Sequence, residues 1–242
     1  MAFTSLGVPP VARSLEPWPA TMLNVIEQAM YQAWIHVVTD HGPVLDAANE
    51  DDITDRLRTA LVKLRRSGAV DGFNGDVFQL PIRDGKLSSG AGDSIDMMPD
   101  LTFYIVGCRD GVEEDEHDGF FIECKVLDAS KGLSLYDNNG IARFVDGRYA
   151  SRMPQAGLIA YALGKTHTCP DASMPGYMAK TGKGASVTHG QRLKWNSTAS
   201  SSLAALGSFS GKRWISVHGR ALAKNPTVAL PDITLRHIWL RR

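Results

Sequence analysis

The chain has no apolar run of about 18 residues, the length that a membrane-spanning helix needs. Its first residues also lack the basic region and apolar core of a signal peptide. It contains only 3 cysteines, Cys108, Cys124 and Cys169, which are odd in number and widely spaced. This pattern argues against a disulfide framework and suits free thiols in a reducing compartment. We therefore expect a cytoplasmic protein that has no membrane partner.

Several familiar catalytic motifs are missing as well. The sequence has no phosphate-loop lysine motif, no Gly-x-Ser-x-Gly and no His-Glu-x-x-His, so an unrelated α/β hydrolase ranks last among the possible functions. His167 and Cys169 lie near each other, but no paired Cys or His spacing completes a four-ligand zinc site. Internal repeats and heptads are also absent.

Net charge is zero over the 242 residues, but the charges are unevenly distributed. Residues 40–128 contain 20 Asp and Glu against 9 Lys and Arg, whereas residues 165–242 contain 12 Lys and Arg against 2 Asp. Such asymmetry indicates contact with nucleic acid. The alternative is a solvated basic face opposite an acidic one.

Apolar periodicity and turn residues predict an α/β protein of mixed α+β type, with a central mixed β-sheet flanked by helices. We expect a single domain over 1–242, made of N-terminal helices (19–67), a core (76–163), a variable insertion (166–211) and C-terminal strands (213–240). The predicted helices span 19–38, ended by His41-Gly42-Pro43, then 49–66, 135–145, 153–163 and 193–206. The predicted strands span 77–80, 101–106, 119–127, 213–218 and 233–240.

The candidate catalytic residues lie in two short motifs, Pro99-Asp100 and Glu123-Cys124-Lys125. Alternate strand residues share a face, so Glu123 and Lys125 point the same way and Cys124 points to the other side. If the two strands form a hairpin, Asp100 approaches Glu123 and the pair can hold one hard cation. Mg²⁺, with Mn²⁺ as a substitute, would polarise a phosphate and acidify a bound water. Lys125 would orient or deprotonate that water and offset charge on the phosphorane.

A purely structural interpretation is also open, in which Asp100 caps a turn and Glu123 pairs with Lys125 on the surface. The triplet lies in an otherwise apolar strand, however, where two buried charges are expensive unless they are used. This context favours the catalytic interpretation.

In these motifs the chain resembles the PD-(D/E)XK nuclease superfamily, including bacterial members linked to phage defence. The resemblance covers about residues 50–161 and implies a restriction-endonuclease-like core, with the acid on one strand and the Glu-x-Lys on the next. It implies catalytic roles for Asp100, Glu123 and Lys125, and a further metal ligand from a helix before the sheet. Glu50 is the candidate for that ligand, and Asp51 and Asp55 compete with it. Glu50 is otherwise an ordinary helix N-terminal acid.

Contacts to nucleic acid are expected from polar residues after the Lys125 strand. The resemblance implies a role for Gln155, with Tyr161, on the helix that follows. Arg143 and Arg148 can hold phosphate while Tyr149 stacks or hydrogen-bonds, although aromatic residues at helical spacing are more often core. The remaining candidates are His218, which shares a strand face with Ser216, and Arg220; a lone strand histidine is more often structural.

Together with the resemblance, these observations predict a metal-dependent nuclease, with DNA preferred to RNA as the substrate by extrapolation, acting as an endonuclease effector in a bacterial anti-phage or restriction-like system. The alternative is a catalytically silent PD-(D/E)XK fold that binds nucleic acid or serves in assembly. Because no DNA-reading or ATPase motif is present, we expect a homo-oligomer or a complex with an ATPase or sensor subunit.

Overall fold

The computed structural model describes residues 14–85, 98–112, 116–128, 130, 132–163, 177, 192–196, 211–222 and 225–242. Two long helices, α1 (Ala20–Leu45) and α2 (Glu50–Ser67), precede a β-sheet. The α2 helix begins where the sequence predicts, because the Asn49 side chain accepts a hydrogen bond from the Asp52 N–H at 2.8 Å. It ends at Gly68, which adopts the left-handed conformation that closes helices. The prediction for this helix is confirmed.

The α1 helix runs further than predicted. His41-Gly42-Pro43 does not end it, and Pro43 lies in its last turn. The proline ring costs one main-chain hydrogen bond there. The extra turn carries Leu45 into the core, where it is fully buried. Burial of that side chain offsets the loss, because it removes an entire apolar residue from water.

The sheet is mixed, as predicted, and its six strands lie in the order β1-β2-β3-β6-β5-β4. The strands are β1 (Leu101–Phe103), β2 (Phe120–Leu127), β3 (Gln155–Ala162), β4 (Arg192–Asn196), β5 (Gly211–Leu222) and β6 (Asn225–Arg241). β1 pairs antiparallel with β2, β2 and β6 both lie parallel to β3, and β5 is antiparallel to both of its neighbours. The predicted hairpin and the two C-terminal strands are therefore confirmed.

A continuous helical segment crosses from β2 to β3. It comprises α3 (Leu133–Tyr136), a π-helical turn (Asp137–Ile141) and α4 (Ala142–Val145). This agrees with the helix predicted over 135–145, but the π turn was not foreseen. Such turns are rare and occur often at functional sites.

Three predicted elements are wrong. The helix predicted over 153–163 is strand β3 at Gln155–Ala162, because this short, mostly apolar run is buried on both faces of the sheet and its periodicity does not distinguish the two structures. Residues 193–196 belong to strand β4, and 197–206 lie outside the described residues. Residues 77–80 make only an isolated bridge from Phe78 to Ile105.

The two faces of the sheet are covered by different helices. On one face, Trp34 of α1 stacks on Tyr161 at 5.5 Å between ring centroids, and Thr54 of α2 lies 3.1 Å from the Tyr161 hydroxyl. On the other face, the segment 133–145 packs against Leu158 and Lys125 through Gly140. The core therefore has two layers, and the Glu123–Lys125 face lies beneath the 133–145 segment.

Two further predictions concern the cysteines and the absence of membrane-spanning helices. Cys108 and Cys124 are free thiols, whereas Cys169 and most of the predicted insertion lie outside the described residues. Within the described ranges, no helix combines the length and apolarity that crossing a membrane requires.

Candidate active site

Strand β2 positions Glu123 and Lys125 on one face of the sheet, as the alternation of strand residues predicts. Glu123 Oε1 lies 2.8 Å from Lys125 Nζ. Pairing of Leu101 with Ile122 brings Asp100 beside the next residues of β2. The Cys124 N–H donates to Asp100 Oδ2 at 2.6 Å, and that oxygen lies 3.9 Å from Lys125 Nζ. The expected approach of Asp100 to Glu123 and Lys125 is therefore present.

The first residue of α2 completes this group. Glu50 Oε1 accepts a hydrogen bond from Lys125 Nζ at 2.6 Å, and Glu50 Oε2 accepts one from the Val126 N–H at 3.0 Å. Asp51 and Asp55, which competed for this position, point elsewhere and pair with Arg83. Of the three acids, the structure brings Glu50 to the site.

Arg143 of α4 also contacts the Glu123 carboxylate. Its Nη1 donates to Glu123 Oε1 at 2.6 Å and to the Tyr149 hydroxyl at 2.9 Å. The Tyr149 hydroxyl in turn donates to the Met98 carbonyl at 3.0 Å, and the guanidinium carbon lies 5.5 Å from the centroid of the Tyr149 ring. Two of the residues predicted to bind nucleic acid, Arg143 and Tyr149, therefore lie at the predicted catalytic group.

The site has a buried floor and a partly exposed rim. The Glu123 side chain is 0% exposed and that of Lys125 is 6% exposed. Around them the side chains of Asp100, Glu50 and Arg143 are 17%, 27% and 31% exposed. A ligand would meet these three rim residues first.

Burial and the crowding of acids shift the pKa values of the site. Burial, reinforced by the charge of Asp100, raises the pKa of Glu123 to about 7. Burial also raises the pKa of Asp100, against the opposing effect of Lys125. Burial would lower the pKa of Lys125, but the charges of Glu123, Asp100 and Glu50 outweigh it and raise that pKa above its ordinary value. Lys125 is therefore a protonated cation at neutral pH.

The chemistry of the donors suits a hard divalent cation. In the part of the chain that the structure describes, no group of three or more His, Cys, Asp or Glu could hold a metal ion. Nevertheless, three carboxyl groups surround the Lys125 ammonium, and Glu123 Oε2 is buried without a hydrogen-bond partner among the described residues. Mg²⁺ needs only one or two carboxylates besides water and substrate oxygens. Asp100 and Glu123 fit that requirement, whereas both oxygens of Glu50 already hold β2 and its lysine.

Gln155 does not occupy the predicted position. It begins strand β3 and is not on a helix, and its register places it on the sheet face opposite Glu123, because Glu123 pairs with Leu158. Its side-chain oxygen is buried and has no hydrogen-bond partner within the described ranges. The predicted contact between Gln155 and nucleic acid at this site is therefore wrong.

His218 and Arg220 also lie away from the site, in the β5–β6 part of the sheet. His218 is 1% exposed, and its Nε2 lies 2.7 Å from Ser216 Oγ, which contacts His237 Nε2 at the same distance. Arg220 is 5% exposed and donates to three main-chain carbonyl oxygens, those of Pro231, Ala150 and Met153. Both predictions of a nucleic-acid contact are corrected, because these side chains are enclosed by protein.

Arg148 remains a candidate for a phosphate contact. Its side chain is 39% exposed and pairs with Asp146 at 2.7 Å. Gly140, in contrast, had no predicted role, and its position against Lys125 follows from the π turn, for which the sequence carries no clear signal.

Comparisons with known proteins add no assignment: no family model matches the chain, and neither the curated proteins nor the solved structures contain a match.

Proposed function

We propose that the protein is a metal-dependent nuclease that hydrolyses phosphodiester bonds of nucleic acid. The observation that carries the proposal is the convergence of Asp100, Glu123 and Lys125 from two paired strands onto one point. A third carboxylate, Glu50, joins them from a helix that precedes the sheet. This is the arrangement that a resemblance to the PD-(D/E)XK superfamily implies. Buried charges of this kind are costly to a fold and concentrate at functional sites.

Each residue has a chemical role in this proposal. Asp100 and Glu123 would hold Mg²⁺ or Mn²⁺, and the cation would supply Lewis-acid chemistry by polarising a phosphate and acidifying a water. The charges of Glu123, Asp100 and Glu50 raise the pKa of Lys125 and favour its ammonium form. As an ammonium, Lys125 donates hydrogen bonds and offsets the negative charge that develops on the phosphate. Glu50 holds Lys125 in place through a hydrogen bond of 2.6 Å.

The proposal also covers the substrate, the biological role and the assembly of the protein. We propose DNA as the substrate, and an effector role in a bacterial anti-phage or restriction-like system. Cutting both strands of a duplex requires two active sites, which favours a homodimer or a complex with an ATPase or sensor subunit. Gel filtration that shows a monomer cutting both strands would contradict this assembly.

The test is cleavage of supercoiled plasmid, linear duplex, single-stranded DNA and RNA with Mg²⁺, Mn²⁺ or EDTA. Asp100→Asn and Lys125→Met should each lower the cleavage rate by roughly 100-fold or more, the usual effect of removing a group that stabilises transition-state charge. Asp51→Asn is the matched control, because Asp51 is exposed, pairs with Arg83 and lies next to Glu50 in sequence.

The outcomes separate the two candidate functions. Cleavage that EDTA abolishes and that both variants lose supports the nuclease. Cleavage that Asp100→Asn retains would assign the activity to another site or to a contaminant. Binding of nucleic acid without cleavage of any substrate would favour the silent fold that serves as a binding subunit.

A further inference from the structure

Glu123 is shared by two cations through one oxygen atom. Lys125 Nζ and Arg143 Nη1 lie 2.8 and 2.6 Å from Glu123 Oε1, whereas Oε2 has no hydrogen-bond partner among the described residues. The two cations differ in solvent exposure. The Lys125 side chain is only 6% exposed and is also held by Glu50, whereas the Arg143 side chain is 31% exposed at the rim.

Within the part of the chain that the structure describes, the guanidinium of Arg143 is held through Nη1. Nη1 makes the hydrogen bonds to Glu123 and Tyr149. Its Nε and Nη2 make no hydrogen bond with any residue that the structure describes. A guanidinium presents five N–H donors in a planar fork that matches two phosphate oxygens. The donors without a partner among the described residues therefore belong to a partly exposed side chain at the rim, and their geometry matches a phosphate.

The position of Arg143 follows from the helical segment above the sheet. The π turn at Asp137–Ile141 immediately precedes α4 and contains Gly140. A Cβ atom at Gly140 would lie 2.9 Å from Leu158 Cδ2, so a larger residue would approach the sheet this closely only if the Leu158 side chain shifted. The approach brings the first turn of α4, and with it Arg143, within reach of a carboxylate that is 0% exposed.

We propose that Arg143 is a positioning residue that exchanges ligands: in the resting protein it neutralises Glu123, and when nucleic acid binds it transfers to a phosphate and leaves Glu123 for the metal. Arg143 and a divalent cation then compete for the same carboxylate. The exchange couples the two binding events, because phosphate draws away the guanidinium that opposes the metal. This inference rests on the proposed function, since it concerns the metal and substrate of that site.

The proposal makes two opposite predictions for Arg143→Gln. In the absence of nucleic acid, the variant should bind Mn²⁺ more tightly than the wild type, by on the order of tenfold, because a positive charge beside the carboxylate has gone. In EDTA, it should bind a short fluorescent DNA duplex more weakly, also by on the order of tenfold, because a phosphate ligand has gone. Calorimetric titration measures the first and fluorescence anisotropy the second.

Three further variants test whether the change in Mn²⁺ affinity is specific to the Arg143 guanidinium. Arg66→Gln removes an exposed arginine from the last turn of α2, at the opposite end of that helix from Glu50, and it should leave Mn²⁺ affinity unchanged. Arg143→Lys retains a positive charge without the fork, so its Mn²⁺ affinity should stay within about threefold of the wild type while its DNA affinity falls. Asp100→Asn should weaken Mn²⁺ binding, which identifies the site that the titration reports.

The outcomes distinguish this inference from the proposed function. Unchanged or weaker Mn²⁺ binding in Arg143→Gln, with Asp100→Asn also weakened, overturns the exchange and leaves the metal site standing. Weaker binding of both ligands by Arg143→Gln indicates a structural role and also overturns it. Absence of Mn²⁺ binding in both the wild type and Arg143→Gln overturns the exchange and the metal-dependent nuclease together.

Discussion

Replacing Lys125 with methionine removes the ammonium on which three carboxylates converge. Nζ lies 2.6 Å from Glu50 Oε1, 2.8 Å from Glu123 Oε1 and 3.9 Å from Asp100 Oδ2. Removing one partner of a buried ion pair costs about 3–5 kcal/mol when the other charge stays buried. Arg143 still pairs with Glu123, and Glu123 can take up a proton. We therefore expect a loss of about 2–3 kcal/mol in the free energy of unfolding at pH 8.

The loss should depend on pH in a definite direction. The pKa of Glu123, raised by burial and Asp100, is about 7 in the folded protein, against an ordinary value of 4.5. Without Lys125, that folded pKa rises further. A raised carboxyl pKa means that stability is lost as pH rises from the unfolded value through the folded one. At pH 5 Glu123 is mostly protonated with or without Lys125, so the variant should lose much less there.

Urea unfolding followed by circular dichroism at pH 5 and pH 8 measures this difference. The matched control is Lys63→Met on α2, because Lys63 is an exposed lysine. The free energy of unfolding of this variant should differ from that of the wild type by no more than about 0.5 kcal/mol at both pH values. Added Mg²⁺ should restore more stability to Lys125→Met than to the wild type, because a cation again compensates the carboxylates. Equal losses at pH 5 and pH 8, or no loss at all, would refute the reasoning.

Two further substitutions test the packing at Gly140 and the hydrogen bonds of Arg220. Gly140→Ala should lower the free energy of unfolding by about 1 kcal/mol, because a Cβ 2.9 Å from Leu158 Cδ2 overpacks the helix against the sheet and outweighs alanine's better helix propensity. A thermal melt that shows stabilisation would contradict this. Arg220→Met should cost about 2–4 kcal/mol in urea unfolding by leaving three carbonyl oxygens without their donor. Its DNA affinity, measured on folded protein, should not change, and a selective loss of DNA binding would restore the predicted contact.

The parts of the fold that sequence predicts well are those with local signals. Asn49 and Gly68 mark the two ends of α2 through a side-chain cap and a left-handed residue, and both signals act within one turn. Alternation along β2 places Glu123 and Lys125 on one face whatever the rest of the chain does. Pairing of β1 with β2 follows from two neighbouring apolar runs, and it brings Asp100 to the same place.

The predictions that are wrong share a different cause, which is that they depend on tertiary contacts. After Gln155, residues 156–162 are apolar or aromatic, and their sequence fits a helix as readily as a strand buried on both faces. Only pairing with β2 and β6 decides between them. Gln155 was consequently placed on the wrong element. His218 and Arg220 carry no sequence mark that separates a buried histidine or arginine from an exposed one.

The sequence by itself determined which residues could perform the chemistry, because residue type and strand alternation are local properties: Asp100, Glu123 and Lys125 follow from them. Tertiary structure alone decided which more distant groups join these residues. It chose Glu50 over Asp51 and Asp55, since the direction of a side chain on α2 depends on how the helix packs against the sheet. It also placed Arg143 on Glu123 through a π turn, because contacts between segments far apart in sequence depend on packing that no local pattern encodes.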